Sequence, residues 1–133
     1  MVKYIDTDVL VYWATDHAEH GDTATRLLRH IELNEKAVTS ALSVYLFDAA
    51  LAPLGIDDYD LGSFLDQVAK LRNLKVEALN PGVYRNAVRL RAELDVPLDV
   101  AVGMATARAK KADGVFSNNP AYDKGPLPRR FAP

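Results

Sequence analysis

Two aspartates stand where a carboxylate is chemically useful. Asp6 follows the apolar run 2–5, and Asp99 follows Pro97-Leu98 at the start of a helical stretch. A carboxylate at the end of a buried strand is costly to desolvate unless something positive meets it. A metal ion does so. The plainer alternatives are local: Asp6 caps the helix that follows or fixes a turn, and Asp99 complements the positive end of a helix dipole. Where two carboxylates meet, they bind hard cations such as Mg²⁺ or Mn²⁺ through oxygen, and Mg²⁺ needs only one or two of them when waters and a phosphate complete its shell. Phosphodiester hydrolysis is the chemistry natural to such a site, because a metal there activates water and stabilises charge on the leaving oxygen.

The elements that must position these residues are legible from hydropathy and turn signals. Residues 2–5 are a short run of β-formers suited to a buried parallel strand. A first helix spans 9–14, with Asp8 as N-cap. In 19–33, Ala24, Leu27, Leu28 and Ile31 recur at helical spacing. Residues 36–39 make a second strand, and a helix after Ser40 runs to about Ala52, where Pro53 and Gly55 stop it. Asp57 opens a charged helix start. Residues 74–79 read as a third strand, Pro81 opens a helix to Leu94, and Pro97 opens another to Lys110. Residues 114–117 form a fourth strand, and the proline-rich tail from Pro120 reads mostly as loop. Strands that alternate with helices predict a parallel sheet with helices on both faces. Ligands in such folds gather beyond the carboxyl ends of the strands. That rule selects Asp6 and Asp8, Thr39 and Ser40, and 117–119, with Asp99 joining from its helix.

Composition narrows the class. The 133 residues suit one domain, 1–133, and 49% hydrophobic residues suffice for a core. A net charge of −2 lacks the basic excess of a dedicated nucleic-acid binder, so any RNA or DNA contact must be local or metal-mediated. The absence of cysteine excludes disulfides and thiolate metal sites. No signal peptide or membrane-spanning run is visible, so a soluble, cytoplasmic protein is expected. His17 and His20 flank a loop-to-helix junction while His30 lies well along the helix, which argues against a zinc cluster. Arg108, Lys110, Lys111, Lys124, Arg129 and Arg130 make the C-terminal part locally basic, either to meet phosphates or as a solvated helix end and tail. Tyr12 and Trp13 read as core or dimer contacts. No Gly-rich phosphate loop is present.

Four ordered segments carry a resemblance. Tyr4-Ile5-Asp6-Thr7-Asp8-Val9-Leu10-Val11-Tyr12 resembles the opening motif of PIN-domain proteins, which include the VapC-type toxins of bacteria and archaea. Val38-Thr39-Ser40-Ala41-Leu42-Ser43 resembles the second segment, residues 97–107 the third, and Gly114-Val115-Phe116-Ser117-Asn118-Asn119 the fourth. The resemblance spans almost the whole chain. It implies a three-layer α/β/α sandwich with a central parallel sheet of four to five strands. It also implies clustered acids holding Mg²⁺ or Mn²⁺, cleavage of RNA, homodimers and a small antitoxin protein as partner. Asp6 and Asp99 match the first and third acidic positions. The second position, usually Glu, aligns with Leu46; Asp48 lies roughly 200° around the helix from it. The fourth, usually Asp, aligns with Asn119, which offers a carbonyl oxygen without charge. Asp123 is nearby and reads as a turn acid, Asp8 as an orienting neighbour, and Ser117 as a supporting hydrogen-bond donor. Two expected charges are thus missing, and a non-cutting member that binds protein or RNA is the competing expectation.

Overall fold

The computed structural model describes residues 1–133 and places the first apolar run, strand β1 (Val2–Ile5), at the centre of a five-stranded sheet. The other strands are β2 (Lys36–Ser40), β3 (Leu74–Glu77), β4 (Gly114–Phe116) and β5 (Arg129–Arg130). Their order is β3-β2-β1-β4-β5, and every pairing is parallel. A parallel central strand is covered on both faces, which is why residues 2–5 are apolar without alternation. The pleat sends neighbouring side chains to opposite layers. Tyr4 packs with Val100, Ala101, Met104 and Ala87, whereas Ile5 packs with Val9, Leu27, Phe47 and Val68.

Six α-helices supply those layers: α1 (Thr7–Ala14), α2 (Gly21–Asn34), α3 (Ala41–Leu51), α4 (Asp58–Lys70), α5 (Pro81–Leu94) and α6 (Leu98–Ala109). Helices α5 and α6 lie against the Tyr4 face, and α1 to α4 against the Ile5 face. This is the expected α/β/α sandwich.

Several boundaries differ from the sequence expectation, each for a local reason. Helix α1 starts at Thr7, so its N-cap is Asp6 and not Asp8; the Asp6 side chain makes no capping bond because it is engaged elsewhere. Helix α2 starts at Gly21 because the His17 ring already accepts the Glu19 and His20 N–H groups, at 3.2 and 3.1 Å. Strand β3 stops at Glu77, where its pairing with Ser40 ends, and Asn80 then caps α5 through Val83 N–H at 2.9 Å. The tail is the largest departure. It forms a 3-10 helix (Pro120–Lys124) and then β5, where only loop is expected. Prolines did not prevent this because the open edge of β4 needs acceptors. Val115 N–H donates to Pro128 O at 2.9 Å, and Ser117 N–H to Arg130 O at 3.0 Å. Proline keeps its carbonyl, so it closes a sheet edge.

No helix is long and apolar enough to cross a membrane.

Candidate metal centre

Asp6 leaves the carboxyl end of β1 and its N–H still bonds Phe116 O of β4 at 3.1 Å. That pairing turns the side chain into the space between β1, β4 and the segment after β4. There Ser117 Oγ lies 3.0 Å from Asp6 Oδ2 and 3.1 Å from Asp8 Oδ2. Asn118 N–H donates to the same Asp8 oxygen at 2.8 Å, and Tyr122 Oη donates to Asp6 Oδ1 at 2.9 Å. Ser117 Oγ in turn accepts from Asn119 N–H at 2.9 Å. A serine hydroxyl has one proton, so it satisfies only one of the two carboxylates at a time. The remaining Asp8 oxygen, Oδ1, is buried and has no partner at all.

The electrostatics follow from this arrangement. Burial, then the neighbouring Asp8 charge, pushes the Asp6 carboxyl up to about 6, against the opposing pull of Tyr122, Thr7 N–H and Ser117. Burial also raises Asp8, partly offset by Asn118 N–H, Ser117, Val9 N–H and the positive charge of Arg129. Burial dominates the upward shifts of the Tyr4 and Tyr122 phenols, which therefore remain donors. The centre is short of positive charge.

Helix α6 closes the other side. Gly103 has room for no side chain, because a Cβ there would overlap the Tyr122 hydroxyl and the Tyr4 ring. Asp99 lies one turn before Gly103, on the same side of α6, and is exposed. Asp6, Asp8, Ser117 and Tyr122 are brought together directly, whereas Asp99 makes no hydrogen bond with them.

The other sequence candidates have local employment. Asn119 caps the 3-10 helix, its Oδ1 accepting from Ala121 N–H at 3.0 Å. Ser40 is buried and caps α3 through Leu42 N–H at 3.1 Å. Leu46 and Asp48 are both half-buried on α3, and Asp48 makes no hydrogen bond within the centre. Asp123 is not a loose turn acid: Arg129 grips both of its oxygens at 3.0 Å and also donates to Ser117 O at 3.2 Å. His17 and His20 stack at 5.1 Å, while His30 pairs with Glu35 at 2.8 Å. Tyr122 is the residue that sequence reasoning missed. The available signal was Asn119-Pro120, an N-cap followed by an N1 proline, which marks a helical turn and not a free tail.

The PIN-domain profile matches residues 3–125. The chain belongs to the PIN-domain family. Solved PIN-like neighbours share the fold at low identity. VapBC2 from Rickettsia felis, bound to a DNA fragment from its promoter, superposes with a TM-score of 0.75 at 18% identity, covering 98% of each chain. VapC20 of Mycobacterium tuberculosis, a toxin that cleaves the sarcin-ricin loop, gives 0.71 at 15% identity over 85% of this chain and 86% of that one. FitAcB from Neisseria gonorrhoeae gives 0.68 at 13% identity over 97% and 96%. No curated protein matches significantly.

PIN domains generally depend on a divalent metal. No group of three or more acidic or histidine side chains in this chain is arranged to hold a metal ion. The unpartnered Asp8 Oδ1 beside Asp6 nevertheless offers what a cation requires: buried, negatively charged oxygen with an open lone pair. The two carboxylates therefore fit a hard cation that draws its remaining ligands from outside the protein, in the manner common for Mg²⁺. They do not make the enclosing cage of four acids.

Proposed function

We propose that this PIN domain is a VapC-type endoribonuclease that hydrolyses RNA phosphodiesters with Mg²⁺ or Mn²⁺. The observation that carries the reading is the buried, partnerless Asp8 oxygen next to Asp6 at the carboxyl end of the central strand. Asp6 and Asp8 would hold the ion, with Asp99 on α6 and Asn119 as a neutral neighbour. When bound, the ion supplies an activated water and charge neutralisation at the leaving oxygen. The protein's own part is positional. Ser117 tethers the two carboxylates, Asn118 N–H fixes Asp8, and Arg129 steadies Ser117 through its carbonyl. The Asp99 carboxylate on α6 faces solvent, where a phosphate carrying the ion would arrive.

A second reading is a PIN domain that binds RNA or protein without cutting. Leu46 at an expected acidic position and the engaged Asn119 carbonyl favour it. Cleavage of a mixed RNA pool over rising Mn²⁺ separates the two. The nuclease reading expects products from wild type and none from Asp6→Asn, with a smaller loss for Asp99→Asn. Folded wild type that retains RNA but yields no product at any metal concentration sinks the nuclease reading.

We also read the chain as the toxin-like half of a toxin–antitoxin pair that dimerises and acts in the cytoplasm. The fold it shares with VapBC2 supports this reading. Light scattering on the isolated chain tests the homodimer: a monomer at all concentrations removes it.

A further inference from the structure

We propose that the Tyr122 hydroxyl is a removable stopper on Asp6, which a cation displaces on binding and which sets how tightly that cation is held. The proposal rests on the cation reading of the centre given above. Its first support is occupancy. Asp6 Oδ1 already accepts a hydrogen bond from the Tyr122 hydroxyl at 2.9 Å, and the Ser117 hydroxyl lies 3.0 Å from Asp6 Oδ2. A cation that uses Oδ1 must take it from an O–H donor, and hydrogen bonds to a charged carboxylate are the stronger kind.

The second support is shape. Tyr122 is 1% exposed, and its hydroxyl fits against Gly103, where any side chain would collide with it. The stopper is thus received by a built seat. It also has somewhere to go. The Tyr122 ring borders a cavity of about 250 Å³ between α5, α6 and the C-terminal segment, with Leu90, Met104, Val115 and Leu127 in its walls. The ring's apolar body can withdraw into apolar surroundings. The short helix that carries it stays tied down by the Asn119 cap and the Asp123–Arg129 pair.

The third support is the difference between the two hydroxyls. Ser117 reaches both carboxylates and holds them together, whereas Tyr122 donates to Asp6 alone. Withdrawing Tyr122 leaves Asp6 Oδ1 and Asp8 Oδ1 both free, on carboxylates that remain tethered. Two open oxygens on adjacent acids make a two-point seat for a divalent ion.

Tyr122→Phe removes the hydroxyl and keeps the ring. Calorimetric titration with Mn²⁺ alone is expected to show binding about tenfold tighter than wild type, or more. Mn²⁺ should also raise the melting temperature of Tyr122→Phe by more than it raises that of wild type, and both gains should vanish in Tyr122→Phe/Asp6→Asn. Should Tyr122→Phe fold poorly, Tyr122→Met gives the same readout, since it also removes the hydroxyl while a flexible apolar side chain fills the space. Affinity equal to or weaker than wild type overturns the stopper and leaves the cation reading standing. No Mn²⁺ binding by either folded protein overturns both.

Discussion

The two ends of strand β1 solve opposite electrostatic problems within a few residues of each other. At the amino end Lys3 reaches Asp113 at 2.7 Å and Glu35 at 3.2 Å, and Glu35 also meets His30 at 2.8 Å. Hydrogen bonding to Asp113 leads the upward shift of Lys3. Asp113 is lowered chiefly by Lys3, and Glu35 is lowered by His30 and Lys3 against its own burial. At the carboxyl end Asp6 and Asp8 face hydroxyls and backbone amides, and both are raised. One end is neutralised by its own side chains; the other keeps its negative charge uncompensated. A stable fold has no use for the second arrangement, and the difference supports the proposed site at the carboxyl end.

That contrast can be broken at either end. The largest effect is expected from Gly103→Val, which forces a branched side chain into the Tyr122 hydroxyl and the Tyr4 ring. Overpacking of this kind costs about 3 kcal/mol. Urea denaturation should find the loss unchanged between low and high salt, because fit and not charge holds this end.

Asp6→Asn sharpens the comparison by removing the raised carboxyl. Its folded value of about 6 lies above the ordinary carboxylate range, so the folded state holds its proton longer than the unfolded chain does. Ionisation therefore lowers stability as pH rises from about 4 to about 6, and the cost stays above that. The variant should gain about 2 kcal/mol at neutral pH in chelator, and the gain should disappear near pH 4. A variant no more stable than wild type at pH 7 would contradict the charge imbalance.

Lys3→Met attacks the balanced end and should cost about 1 kcal/mol, discounted for partial solvent screening. Here the sign is reversed. Glu35 and Asp113 are lowered, so the stability they contribute through Lys3 is complete above the ordinary carboxylate range and fades as pH falls through their folded values. The gap between variant and wild type should close in acid, where that for Asp6→Asn also closes from the other side. The smallest effect belongs to Asp123→Ala. Its pair with Arg129 is exposed, so thermal melts should find the variant close to wild type.

Much of the fold was legible because its signals are local. Asn80-Pro81 names the start of α5, and the predicted span matches Pro81–Leu94. The apolar run at 2–5 and the helical repeat of Ala24, Leu27, Leu28 and Ile31 needed no distant information. What stayed hidden depends on chain segments far apart. Asp8 reads as an accessory until Ser117 and Asn118 bury and engage it from 109 and 110 residues away. Tyr122 reads as a tail aromatic until Asp6 and Gly103 receive it. Strand β5 exists because β4 has an open edge, and proline content says nothing about edges. Asp99 was legible as a helix-start acid, but that its helix packs Gly103 against Tyr122 was not.

The bond between Tyr122 and Asp6 spans 116 positions, and that between Ser117 and Asp6 spans 111. A growing chain presents Asp6 early and its two hydroxyl partners only when synthesis of the domain is almost complete. Contacts so distant in sequence also form late and slowly in refolding. The centre is therefore the last thing such a chain acquires. A nascent or truncated product that stops short of Ser117 carries the aspartates without the hydroxyls that gather them.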